Sequence, residues 1–194
     1  MGGVEGLGDQ AEGKRRLIEI VKARSFQEGP EIRLASGKTS TFYFNMKPTM
    51  LDPEGARLIA DLVLGELVDT PVDLVGGLEM GAVPIATAVA AVSDVRGRRV
   101  GAFFIRKQAK EHGTQSLVEG LVRGDSMKGK RVAIVEDVTT TGGSALKAAA
   151  ALRSEGAEIV RVITIVDRQD GAADAFAAAS LNFVPILKLS DFRS

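Results

Sequence analysis

Residues 132–144 read VAIVEDVTTTGGS, and this stretch decides the fold. Four apolar residues, Val132, Ala133, Ile134 and Val135, run into two acids, Glu136 and Asp137. A loop of small hydroxyl residues and glycines follows, and residues 145–153 are strong helix formers. The order is therefore buried strand, loop and helix N-terminus. Such a turn leaves backbone N–H groups and the positive end of a helix dipole free to hold a phosphate. The paired acids fall where the strand ends, within reach of a sugar's hydroxyls. An anion cradle beside sugar-binding carboxylates suits a ribose phosphate.

Working outward, the same alternation recurs. Residues 72–75, 100–105, 131–135, 159–166 and 183–187 read as strands, the run at 159–166 as a fully buried one. Residues 83–92 are an Ala-rich helix, and 172–179 a short one. Asp52-Pro53 opens another helix, with Asp at the N-cap and Pro at the first helical position. Its apolar face is Leu58, Ile59, Leu62, Val63 and Leu67. Leu17, Ile18 and Val21 give helical spacing to residues 14–23, and Gly156 is a good C-cap for the helix after the opening motif. The pattern predicts an α/β fold: a mostly parallel twisted sheet with helices on both faces and a small N-terminal hood. Residues 1–12 are Gly-rich and acidic and are expected to be disordered, with a single domain over 13–194.

Bulk composition narrows the classes. The 194 residues suffice for one domain and a sizeable core. Lys+Arg and Asp+Glu each number 25, so the net charge is zero, which argues against a broad nucleic-acid surface. No cysteine is present, which removes disulfides, thiolate metal sites and thiol catalysis. No apolar run approaches the ~20 residues of a membrane span. The first ten residues, MGGVEGLGDQ, lack the basic and apolar regions of a signal peptide, so a cytoplasmic enzyme is the expectation.

Ligands of parallel sheets bind beyond the carboxyl ends of the strands. Segments 76–81, 106–120, 136–144 and 167–171 all follow strands there. The loop at 136–144 could be an ordinary strand–helix turn, but two adjacent acids at a buried strand's end need a partner or a ligand. The run Arg106-Lys107-Gln108-Ala109-Lys110-Glu111-His112-Gly113 holds three cations and the only histidine. It reads either as a solvated surface loop or as a basic lid that closes over a polyanion and neutralises a leaving group. Segment 34–45, LASGKTSTFYFN, reads as a hairpin or as an aromatic platform for a flat ring. Arg168 is either a surface cation or a fork for a ligand's carboxylate. Three imitations of nucleotide motifs fail. Gly124 to Lys130 nearly matches a P-loop, but Arg131 replaces the hydroxyl residue. Gly37-Lys38-Thr39 has Ile32 where the first glycine belongs. Gly6-Leu7-Gly8 has no preceding strand.

At these residues the sequence resembles the orotate phosphoribosyltransferases, type I phosphoribosyltransferases of pyrimidine synthesis. The resemblance spans about residues 14–192 and is carried by LASGKTSTFYFN, GGLEMGAVPIATA, FFIRKQAKEHGTQSLVEG, VAIVEDVTTTGGS and DRQDGA. It implies transfer of the phosphoribosyl group of 5-phospho-α-D-ribose 1-diphosphate to orotate, giving orotidine 5'-phosphate and diphosphate. It implies Mg²⁺, held mainly by substrate and water. Glu136 and Asp137 would hold the ribose, and Val138, Thr139, Thr140, Thr141, Gly142, Gly143 and Ser144 would wrap the 5'-phosphate. Arg106, Lys107, Lys110 and His112 would contact the diphosphate, with Lys110 foremost in catalysis. Thr140, Arg168, Tyr43 and Phe44 would meet orotate, and the backbone of 76–81 the diphosphate. A homodimer is implied, its lid completing the neighbour's site. One branch of the family has lysines where this chain has Ala35 and near Gly81, so those contacts do not transfer; Lys38 or Lys47 are candidate substitutes. A purine phosphoribosyltransferase is the nearest rival, against which Phe42-Tyr43-Phe44 and Arg168 speak. A ligand-sensing regulator on the same fold is the rival from another class, against which the lid cations speak. A fused decarboxylase would need a longer chain.

Overall fold

The computed structural model describes residues 9–33, 39–108 and 117–193. Helix α1 (Gln10–Arg24) leads into strands β1 (Phe26–Arg33) and β2 (Thr39–Phe44), an antiparallel pair. Helices α2 (Lys47–Met50) and α3 (Pro53–Glu66) follow. Then come β3 (Leu74–Leu78), α4 (Ala82–Val95), β4 (Gly101–Ile105), β5 (Val118–Glu119) and β6 (Arg131–Thr139). Helix α5 (Gly143–Ser154), β7 (Glu158–Asp167), α6 (Ala172–Ala178), β8 (Phe183–Lys188) and a 3₁₀ turn (Leu189–Asp191) complete the described chain.

The main sheet has the order β5-β4-β3-β6-β7-β8, parallel except for β5. From β3 the chain winds outward through β4; from β6 it winds the other way through β7 and β8. The reversal puts a crevice between the carboxyl ends of β3 and β6, the place where such sheets take ligands. Strand alternation feeds two cores. Ala133 and Val135 of β6 face one built with α1, α3, α4 and the β1–β2 hairpin. Val132 and Ile134 face the other, built with α5 and α6.

Local chemistry accounts for the elements. Asp52 caps α3 by accepting from the N–H groups of Glu54 and Gly55, with Pro53 in the first turn. Within α3 the expected apolar face also buries Asp61, which Arg57 and Arg96 each meet at 2.9 Å. A buried carboxylate is tolerable there because both its oxygens are paired.

Several boundaries differ from the sequence expectation. Helix α1 starts at Gln10, not residue 14, because the Asp9 carboxylate caps the N–H groups of Ala11 and Glu12. Residues 10–12, expected to be disordered with the residues before them, are therefore its first turn, while 1–8 lie outside the described residues. Strand β3 begins at Leu74 and absorbs Gly76 and Gly77, which were expected in the loop. A Cβ on either would collide with neighbouring backbone, that of Phe103 or of Val135. Strand β6 runs to Thr139 instead of ending at Val135, because β7 is long enough to pair Glu136, Val138 and Thr139. Strand β7 is not buried throughout. Its first residues are partly exposed, and Arg161 turns its guanidinium to the Glu66 carbonyl and the Thr70 hydroxyl.

Beneath the crevice, β6 and β7 are pinned by a buried hydroxyl pair. The Thr139 hydroxyl donates to Thr164 Oγ1 at 2.8 Å, and the Thr164 hydroxyl lies 3.3 Å from the Glu136 carbonyl. Replacing Thr164 with the isosteric valine strands a buried hydroxyl, so Thr164→Val should cost about 1–2 kcal/mol. Urea unfolding should show a lowered midpoint with an unchanged slope.

Candidate active site

The crevice is assembled from three loops and one helix end. Helix α5 begins behind Gly142, whose φ of 81° places it in the left-handed region, and no side chain caps the helix. Glycine is required here twice over, since a Cβ would also lie 2.8 Å from the Phe176 ring. The uncapped first-turn N–H groups open into a cavity of about 330 Å³. Its lining comprises Glu136, 138–145 and Lys147. A cavity floored by helix N–H groups, with hydroxyls of Thr140, Thr141 and Ser144 around it, has the chemistry to hold a phosphate. Thr139 joins this wall with its hydroxyl donated to Thr164 and its carbonyl taken by the Arg168 N–H, so it serves the cradle mainly by holding β6 to β7.

Above the cradle stand the two acids. Gly81 packs directly on them: a Cβ there would lie 2.5 Å from Asp137 Oδ1 and 3.1 Å from Glu136 Oε1. No side chain of any kind, lysine included, fits at 81 without displacing the acids. Asp137 accepts from the Val138 N–H at 2.9 Å. Glu136 is only 8% exposed, and its Oε2 has no hydrogen-bond partner. Burial and then the adjacent Asp137 push the Glu136 carboxyl up to about 9. A buried carboxyl with one oxygen unsatisfied, next to a phosphate cradle, is an arrangement that a ligand's hydroxyls complete.

The expected lid is anchored beside this pair. The Lys107 N–H donates to Glu79 Oε1 at 2.9 Å, and the Lys107 charge acts on Glu136. At its root the Arg106 N–H donates to the Leu117 carbonyl, and the Arg106 guanidinium lies 3.7 Å from Glu119 Oε1 with Nε buried and unbonded. Lys110 and His112 lie outside the described residues, as do Ala35 and Lys38. Lys47 sits at the start of α2.

On the far side of the crevice is Arg168, 7% exposed. Its backbone N–H donates to the Thr139 carbonyl, which ties it to the cradle. Its guanidinium reaches Ser40 Oγ at 3.3 Å and lies 4.6 Å from the Phe42 ring centre. Nε stands 3.4 Å from Asp170 Oδ2, too poorly aligned to bond, and so remains a buried donor without an acceptor. Of the expected aromatics, Phe44 packs on other rings. It is buried against Phe26 and Phe192, with ring centres 4.9 and 5.1 Å away, so its ring belongs to the core. Tyr43 is 40% exposed on the opposite face of β2. The aromatic that accompanies Arg168 is Phe42, which strand alternation puts on the same side as Phe44. Sequence reading also passed over Lys147, which lines the cavity from α5, and Glu79, whose partner Lys107 is distant in the chain.

The comparisons agree with this geometry. Residues 49–179 match the family model described as a phosphoribosyl transferase domain. The fold and the acid-topped phosphate cradle thus define the chain as a phosphoribosyltransferase. Among curated relatives, an orotate phosphoribosyltransferase of Bradyrhizobium diazoefficiens is 56% identical over 92% of this chain and 95% of its own. One from Rhodopseudomonas palustris is 58% identical over the same shares. A crystal structure of the Mycobacterium tuberculosis orotate phosphoribosyltransferase with Fe(III) dicitrate superposes with TM-score 0.81 at 38% identity, over 93% of this chain and 98% of that one. The same enzyme with 5-phospho-α-D-ribosyl 1-diphosphate gives TM-score 0.74 at 33% identity, over 93% and 92%. The chain belongs to the orotate phosphoribosyltransferases, which form the pyrimidine nucleotide orotidine 5'-phosphate.

The raised Glu136 carboxyl has a measurable sign. Its ordinary value is 4.5 and its folded value about 9, so across that window the native state holds a proton the unfolded chain lacks. Stability from this group is greatest below the lower value and falls as pH rises toward the upper one, by up to about 1.4 kcal/mol per pH unit. Glu136→Gln should flatten that fall. Chemical denaturation of both proteins between pH 5 and pH 9 checks it, and parallel pH profiles would refute the assignment.

Proposed function

We propose that the crevice performs phosphoribosyl transfer with the following division of labour. The α5 N-terminus and residues 138–144 hold the 5'-phosphate through backbone N–H groups and hydroxyls. Asp137, joined by Glu136 once bound cations draw off its proton, accepts from the ribose hydroxyls and steadies the positive charge that grows on the sugar ring as the bond to diphosphate breaks. Arg168 and Thr140 orient the acidic base, whose ring nitrogen forms the new bond to the anomeric carbon. The departing diphosphate is met by the backbone at 79–81 and by the lid cations Arg106, Lys107, Lys110 and His112, with Lys110 carrying most of the charge neutralisation. The observation that carries this reading is the buried Glu136 carboxyl, its Oε2 without a partner, beside the uncapped helix end.

Mg²⁺ fits the same residues. An oxygen-only setting with a carboxylate pair suits this ion, which keeps water and substrate oxygens in its shell. When bound it neutralises diphosphate charge; Glu136 and Asp137 hold the hydroxyls beside it.

The working form we propose is a cytoplasmic homodimer in which the lid of one subunit completes the site of the other. No helix among the described residues is long and apolar enough to cross a membrane.

The test is direct. The purified protein, Mg²⁺ and 5-phospho-α-D-ribose 1-diphosphate are incubated separately with orotate, uracil, hypoxanthine and adenine. Nucleotide should form with orotate alone, and formation with a purine would overturn the Arg168 assignment. In the same assay Lys110→Ala should lower kcat by about 100-fold or more while changing either KM only a few-fold, because the lid acts on charge that develops in the transition state. An unchanged kcat would remove Lys110 from the mechanism.

A further inference from the structure

The segment after β8 returns to the N-terminal hairpin and grips it at five points. Phe192 packs on Phe26 and Phe44, with ring centres 5.4 and 5.1 Å away. Arg193 lies with its guanidinium 4.5 Å from the Phe42 ring centre. The same guanidinium donates to Glu28 of β1 at 3.2 Å and to Thr41 of β2 at 3.1 Å. Arg193 therefore ties both strands of the hairpin together while covering one ring. That ring, only 8% exposed, is the one against which Arg168 rests. Two guanidiniums thus share a single phenyl group, each with its own carboxylate, Asp170 for Arg168 and Glu28 for Arg193.

We infer that Arg193 is a positioning residue for the acceptor base: it fixes Phe42, and through Phe42 the guanidinium of Arg168. The inference rests on the proposed contact between Arg168 and orotate. The physical reason is that Arg168 has little else to hold it. One bond of 3.3 Å to Ser40 and a misaligned carboxylate leave its Nε without a partner. Ser40 and Phe42 both belong to β2, so the orientation of the fork depends on where the hairpin sits. Arg193 sets that position from the opposite end of the fold, and its cation–ring contact is one that lysine reproduces only in part. The phosphate cradle and the acid pair lie on β6 and α5 and make no contact with Arg193 in the described structure, so they should not feel its loss.

Arg193→Gln should therefore raise KM for orotate roughly tenfold. KM for 5-phospho-α-D-ribose 1-diphosphate should change by less than about twofold. Phe42→Leu, which keeps apolar volume but removes the ring face, should show the same orotate-selective effect, and the double variant should be little worse than either single one. Arg193→Lys should recover part of the affinity. An unchanged orotate KM in Arg193→Gln sinks the inference, as does an equal rise in both KM values with a lowered Tm, which would mark Arg193 as structural only. Arg168→Gln separates the two levels. If it leaves orotate KM unaltered, the base-pocket reading fails and the inference with it. If it raises orotate KM while Arg193→Gln does not, only the inference fails.

Discussion

A carboxyl group buried at the end of a central strand with one oxygen unsatisfied is costly, and Glu136 is held in that state. Its neighbour Asp137 adds like charge at close range, which makes Glu136 harder still to ionise. The surrounding structure accommodates the strain in specific ways. Gly81 carries no Cβ and lets backbone close over both acids. The hydroxyl pair of Thr139 and Thr164 ties β6 to β7 one step below, so the strand bearing the acids cannot drift from its neighbour. Lys107, at the lid's root, supplies an opposing charge. The Glu136 Oε2 thus offers an interaction that a polyhydroxyl ligand with cations can complete.

The strand order explains why everything meets there. Winding in opposite directions from β3 and β6 leaves their carboxyl ends flanking a gap that no crossover helix covers. The loop after β3, the lid root after β4, the cradle after β6 and Arg168 after β7 all arrive at that edge. The hairpin β1–β2, outside the main sheet, is then brought over the edge by the aromatic cluster of Phe26, Phe44 and Phe192. In the proposed division of labour, the half of the crevice on the sheet handles phosphate and sugar. The half around Arg168 and Phe42 depends on an appended hairpin, which would separate sugar-phosphate binding from base recognition in mechanical terms.

Much of the site was legible because its chemistry is local. A strand, two acids, a hydroxyl–glycine loop and a helix occupy consecutive positions at 132–154, so their relative placement follows from backbone geometry alone. Asp52 and Pro53 announce α3 for the same reason. The aromatic assignment shows the limit. Phe42, Tyr43 and Phe44 are adjacent, and a strand must send alternate side chains to opposite faces, but which face meets Arg168 depends on how the hairpin docks. A one-residue difference in that docking exchanges the ring that reaches the crevice for the one that faces out. The extents of β3 and β6 were likewise invisible, since pairing with β4 and β7 lengthens them past the last apolar residue.

The sequence by itself determined the alternating α/β order, the phosphate-cradling turn, the acid pair and the family, because each rests on residues close together in the chain and on helix and strand periodicities that short-range sterics impose. Only the tertiary structure decided that Gly81 lies on the two acids, that Asp61 is a buried ion-paired carboxylate, that Phe42 and not Phe44 accompanies Arg168, and that Arg193 reaches back over more than a hundred residues to clamp the hairpin. Those contacts join groups far apart in the chain. Their geometry is set by how the layers pack against one another, which no local pattern of residues encodes.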